Sequence, residues 1–147
     1  MKKILYTLSI LFICIGCVES HKDDTSYTYL TNKSLDSIYY YVNIVSYPDT
    51  SATMFLVREK ELFYVPPLKT EMLETYYTWD NDYMDTVMIY IYSDTVYKKY
   101  TNQEIYENYM VLARYDLSPE DLKFLDHKVV YPPSEKMSGM KMYIPKK

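Results

Sequence analysis

Apolar and polar positions alternate between Ser37 and Ser46, which places Ile38, Tyr40, Val42 and Ile44 on one side and Tyr39, Tyr41, Asn43 and Val45 on the other. Aromatic and β-branched residues suit a pleated, half-buried surface, so this stretch predicts a strand. Tyr47-Pro48-Asp49-Thr50 ends it, because proline cannot donate to a ladder and Pro-Asp favours a turn. Thr86 to Tyr92 predicts a second strand, with Val87, Ile89 and Ile91 as an aliphatic face and Met88, Tyr90 and Tyr92 as a softer one. A strand apolar on both faces is expected to be covered on both. Shorter patterns predict strands at Thr53 to Val57, Leu62 to Val65, Glu71 to Trp79, Tyr109 to Tyr115, Lys128 to Tyr131 and Lys141 to Ile144. Pro66-Pro67 and Pro132-Pro133 end two of them.

Helical signals are few. Ser118-Pro119-Glu120-Asp121 offers an N-cap serine, a proline where its missing N–H costs nothing, and an acid three residues on. Leu122 and Leu125 would then face inward. Asn102 to Tyr106 predicts a helical turn that includes Ile105. Short strands separated by turn signals predict an all-β fold, a two-sheet antiparallel sandwich of immunoglobulin-like or transthyretin-like type, with one or two short helices in the connections.

The N-terminus carries a different pattern. Lys2 and Lys3 precede an apolar run from Ile4 to Ile15 that stops before Glu19, Ser20, His21 and Lys22. A spanning helix needs about 20 apolar residues, so this shorter run has the layout of a secretory signal. Cys14-Ile15-Gly16-Cys17 resembles the lipobox of bacterial lipoproteins, with Cys14 where the family usually has leucine. That resemblance implies transfer of diacylglyceryl to the Cys17 sulfur, cleavage after Gly16, and acylation of the new amino group. Cysteine suits the role because its thiolate is a strong nucleophile, and two or three acyl chains anchor stably where one does not. An ordinary signal peptide with a chance cysteine is the plainer alternative. His21-Lys22-Asp23-Asp24 is similar to the short Lys-Asp-Asp export tag of some Bacteroidota-type surface lipoproteins, and reads equally as a solvated tether.

The expected organisation is therefore a signal peptide over 1–16, a lipidated Cys17 and polar tether over 17–27, and a single β-sandwich domain over 28–147. Loss of Lys2 and Lys3 with the signal lowers the formal charge from -4 to -6, and an acidic surface argues against nucleic acid as a partner. Cys14 and Cys17 are the only cysteines, so the mature chain is expected to hold no internal disulfide. Gly16 and Gly139 are the only glycines. Phosphate-cradling loops and the Gly-x-Ser-x-Gly nucleophile elbow need more than that.

Arg114 to Ser134, RYDLSPEDLKFLDHKVVYPPS, with Asn32-x-Ser34-x-Asp36-Ser37-Ile38-Tyr39 and Tyr47-Pro48-Asp49-Thr50, resembles a family of small lipoproteins from Bacteroidota-type bacteria. The similarity runs over most of the mature domain. It implies location and brings no activity.

Candidate chemistry is sparse. Asp80-Asn81-Asp82-Tyr83-Met84-Asp85 gathers oxygen ligands of the kind calcium takes. An EF-hand loop needs glycine at its sixth position and glutamate at its twelfth, where Asp85 and Ile91 stand. The stretch reads better as an acidic turn, and no metal or cofactor is expected. His127 beside Asp126 would need a nucleophile and an orienting group to act as a base, and a histidine after a short helix is usually a surface residue.

Tyrosine is the anomaly, with 20 in the chain against one Trp and four Phe. A tyrosine buries a large ring yet keeps a polar tip, so it serves sheet packing and recognition alike. The sharper expectation is a ligand platform around Trp79, Tyr76, Tyr77, Tyr90 and Tyr92 that stacks on a glycan or an envelope protein. The chain is thus expected to be a lipid-anchored, non-enzymatic binding or structural module of a bacterial cell envelope, moored to the outer membrane through Cys17. Two other classes stay open. A cell-surface hydrolase with paired carboxylates predicts an acid with abnormal titration. An envelope inhibitor or chaperone-like partner predicts an exposed apolar patch or a free strand edge.

Overall fold

The alternation that marks the two strongest strands also decides how they pack. A computed structural model describes residues 27–43, 62–73 and 86–145. Cys17, the signal, most of the tether, the Tyr47 to Thr50 turn, the Thr53 to Val57 strand, the Asp80 to Asp85 stretch, and Tyr76, Tyr77 and Trp79 lie outside the described residues. The described residues form eight strands: β1 (Tyr29–Asn32), β2 (Ile38–Asn43), β3 (Phe63–Val65), β4 (Thr70–Met72), β5 (Val87–Ser93), β6 (Ala113–Leu117), β7 (Lys128–Tyr131) and β8 (Lys141–Tyr143). Three short helices, α1 (Asp94–Lys99), α2 (Asn102–Glu107) and α3 (Pro119–Phe124), and a 3-10 turn at Glu135–Met137 lie in the connections.

The strands form a three-stranded sheet in the order β4-β1-β7 and a five-stranded sheet in the order β3-β2-β5-β6-β8. This is the all-β, two-sheet sandwich that the sequence predicts. Every pair in the larger sheet is antiparallel. The smaller sheet departs from that rule, since β1 runs antiparallel to β4 but parallel to β7, with Leu30 opposite Val129. β1 and β7 lie far apart in the sequence, with most of the larger sheet between them, so their parallel pairing needs no tight hairpin.

Between the sheets lie Leu30, Leu73 and Val129 from the smaller side and Ile38, Tyr40, Val87, Ile89, Ile91, Ala113, Tyr115 and Leu117 from the larger. Leu122 and Leu125 of the α3 region and Met137 join the same core. Tyr40 is 1% exposed and its hydroxyl donates to the Met72 carbonyl at 3.1 Å, which ties the two sheets across the core. The opposite face of β5 is covered as well: Met88, Tyr90 and Tyr92 pack with Ile105 of α2 and Val111 in a second core.

One corner positions both sheets. The β1–β2 and β3–β4 links each cross from one sheet to the other, and the side chain of fully buried Asn32 sits where they meet. Its Nδ2 donates to the carbonyls of Asp36 at 2.8 Å and of Val65 and Pro66 at 3.2 Å. Its Oδ1 accepts from the Ser34 backbone N–H at 3.0 Å and from the Ser34 hydroxyl at 2.7 Å. The Asn-x-Ser-x-Asp segment is therefore a fold-determining corner.

Local signals explain the helices. Ser118 accepts from the Asp121 N–H at 3.1 Å while Asp121 accepts from the Ser118 N–H at 3.0 Å, the reciprocal cap that the sequence predicts. Thr101 and Glu104 make the same arrangement at the start of α2. At the other end of α2, Tyr109 has φ 48° and the Met110 N–H donates back to the Ile105 carbonyl at 2.9 Å. That closure of the helix delays the strand expected from Tyr109, which begins only at Ala113.

Tyr115 is fully buried, and among the described residues its hydroxyl finds no hydrogen-bond partner. Burial pushes its pKa well up, and the nearby Tyr131 adds to the shift. An unpaired buried hydroxyl costs about 1–3 kcal/mol, so Tyr115→Phe is expected to raise the urea midpoint by an amount equivalent to about 1 kcal/mol at unchanged slope. A loss of similar size would mean that the hydroxyl has a partner.

Candidate ligand-binding surface

Period-two geometry sends Tyr39, Tyr41 and Asn43 of β2, Met88, Tyr90 and Tyr92 of β5, and Arg114 and Asp116 of β6 to the same face of the larger sheet. The register then stacks them in rows. Tyr64, Tyr39 and Tyr92 form one row across β3, β2 and β5. Tyr41, Tyr90, Arg114 and Tyr143 form the next across β2, β5, β6 and β8. Asn43, Met88, Asp116 and Lys141 form the third. Neighbouring rings touch, as between Tyr41 and Tyr90 with centroids 6.4 Å apart.

The centre of this face is closed. Tyr90 and Tyr92, the described members of the expected platform, are 3% and 1% exposed, so both act as packing residues of the second core. Burial first, and neighbouring tyrosines after it, push the Tyr92 hydroxyl well above its ordinary pKa. The remaining platform residues, Trp79, Tyr76 and Tyr77, fall outside the described residues.

Arg114 and Asp116 form a bidentate pair beside that core, Nε to Oδ1 at 2.6 Å and Nη2 to Oδ2 at 2.8 Å. Lys141 Nζ approaches Oδ2 at 3.9 Å, and the guanidinium lies over the Tyr90 ring, 5.5 Å from its centroid. Burial works against the guanidinium's charge, but hydrogen bonds with Asp116 and Tyr109 more than offset it and leave its pKa above the ordinary arginine value. The pair is saturated and holds the β6 side of the face in place.

Aromatic surface reaches solvent at the β3 end. Tyr39 stacks on Tyr97 of α1 with centroids 3.9 Å apart and planes 21° from parallel. Tyr64 leans on Tyr39 at 5.3 Å, is 48% exposed, and shares a hydrogen bond of 3.0 Å with the Ser37 hydroxyl. Asp94 and Lys98, paired at 2.8 Å along α1, border the same group. Burial raises the Tyr39 pKa, the Asp94 carboxylate raises it further, and Lys98 opposes them. The site expectation missed Tyr39, Tyr64 and Tyr97. Tyr39 was legible as an outward position of its strand, whereas Tyr97 joins it only because α1 folds back over β2.

The chain matches no family model, no curated protein and no solved structure. Its function is therefore argued from its own residues.

Among the described residues, no group of three or more His, Cys, Asp and Glu side chains could hold a metal. His127 follows α3 with φ 54°, and its Nδ1 lies 3.4 Å from the Thr28 hydroxyl. Two described carboxyls titrate away from their ordinary range, and both are lowered. The Thr101 backbone N–H and then its hydroxyl hold Glu104 down, and the Lys128 ammonium does the same for Asp126. A general acid needs a shift in the other direction. On the outer face of the smaller sheet, exposed Tyr29 lies opposite exposed Met72. The bonded Thr31 and Thr70 hydroxyls and Lys128 break up that apolar area.

Proposed function

We propose that this chain is a lipid-anchored binding module of a bacterial cell envelope, moored to the outer membrane through Cys17 and without catalytic activity. The observation that carries the reading is Cys14-Ile15-Gly16-Cys17, set between a short apolar run and a polar segment.

The folded part supports the binding role. Two cores and a pinned corner make a rigid scaffold, and aromatic side chains on such a scaffold bind with little loss of rotamer freedom. Metabolic labelling with an alkynyl fatty acid, followed by detergent phase separation, tests the anchor. The protein is expected to carry label and to enter the detergent phase. An unlabelled protein in the aqueous phase would contradict the proposal.

A further inference from the structure

The exposed end of the tyrosine face has the chemistry of a particular ligand. Tyr39 and Tyr97 hold one another in a tight stack, Tyr64 is fixed through its bond to Ser37, and Asp94 and Lys98 stand beside them. We propose that this patch binds a neutral saccharide, with a pyranose ring packed on Tyr64 and Tyr97 and its hydroxyls met by Ser37, Asp94 and Lys98. The proposal rests on reading the chain as a binding module, and it names the site and the ligand class.

A pyranose has an apolar C–H face and a rim of hydroxyls that both donate and accept. Electron-rich tyrosine faces attract the C–H side. The rim needs mixed partners, and the patch supplies them. Ser37 and Tyr64 can each donate or accept, the Asp94 carboxylate accepts, and the Lys98 ammonium donates. The Asp94–Lys98 pair cancels its own charge, so the patch offers no net attraction to phosphate or sulfate, and the formal charge of -6 expected for the chain without residues 1–16 disfavours anions further. Rings already stacked lose little freedom when a ligand arrives.

The test uses the full lipidated protein in a zwitterionic detergent, because a sugar-headed detergent would compete. Cellohexaose, mannohexaose and chitohexaose are titrated by calorimetry, with saturation-transfer NMR reporting which sugar protons touch the protein. At least one is expected to bind saturably at millimolar concentrations or below, with transfer strongest at ring C–H protons. Tyr64→Ala and Tyr97→Ala should each weaken binding by about tenfold, the size of one aromatic contact. Tyr143→Ala, which removes an exposed tyrosine at the other end of the sheet, should leave it unchanged. Tyr64 is half exposed on β3, so its removal leaves the core in place, and a thermal melt checks that directly. Absence of saturable binding to all of these sugars, or binding that Tyr64→Ala and Tyr97→Ala leave intact, would overturn the proposal. Failure here with fatty-acid label retained removes the saccharide alone, whereas loss of label removes the anchor.

Discussion

Asp116→Ala is expected to destabilise the domain by about 3–5 kcal/mol, the cost of leaving a buried charge without its partner. The side chains of Arg114 and Asp116 are only 11% and 7% exposed, and each carboxylate oxygen takes one guanidinium N–H. Arginine does not escape by giving up its proton, because the guanidinium is so strong a base that it stays charged even where burial opposes its charge. The charge would therefore remain, set against the Tyr90 ring in a desolvated row. Urea unfolding measures the effect. The double substitution Arg114→Met with Asp116→Leu should recover most of the loss, since an apolar pair of similar volume replaces a buried ion pair at little cost. A loss below about 1 kcal/mol for Asp116→Ala would mean that the pair behaves as an exposed surface bridge.

Cys17→Ala is expected to abolish lipid attachment altogether. A thioether to diacylglyceryl needs the sulfur, and alanine offers no nucleophile. Without the modification the chain should either keep residues 1–16 as an uncleaved precursor or leave the membrane fraction as a soluble product. Cys14→Ala is the control, because on this proposal that sulfur belongs to the segment removed by cleavage and should be dispensable for labelling. Fatty-acid label on Cys17→Ala would refute the attachment site.

Several elements of the fold were legible from residue pattern. β2 and β5 announce themselves by alternation, and α3 by Ser118, Pro119 and Asp121, because those signals are local. α1 was missed, although Ser93 accepts from the Val96 N–H at 3.1 Å, because the apolar run of β5 leads straight into it. β1 was missed because Tyr29–Asn32 is too short to show a period beside a polar tether. The start of β6 was misplaced because the left-handed Tyr109 is not a residue type that signals helix closure.

The candidate site divides along the same line. Tyr90 and Tyr92 were readable as one face of a strand, but what buries them is Ile105 of α2 and Val111, which reach that face only when the chain after β5 folds back over the sheet. The Tyr39, Tyr64 and Tyr97 patch depends on β3 pairing with β2 and on α1 returning over β2. Neither contact leaves a mark in local sequence.

Mass spectrometry of the protein extracted from its native membrane tests the anchoring claim most directly. The account predicts a chain that begins at Cys17 and carries diacylglyceryl on its sulfur and an acyl group on its amino terminus. A product that starts at another residue, or one with no acyl mass on Cys17, would contradict it.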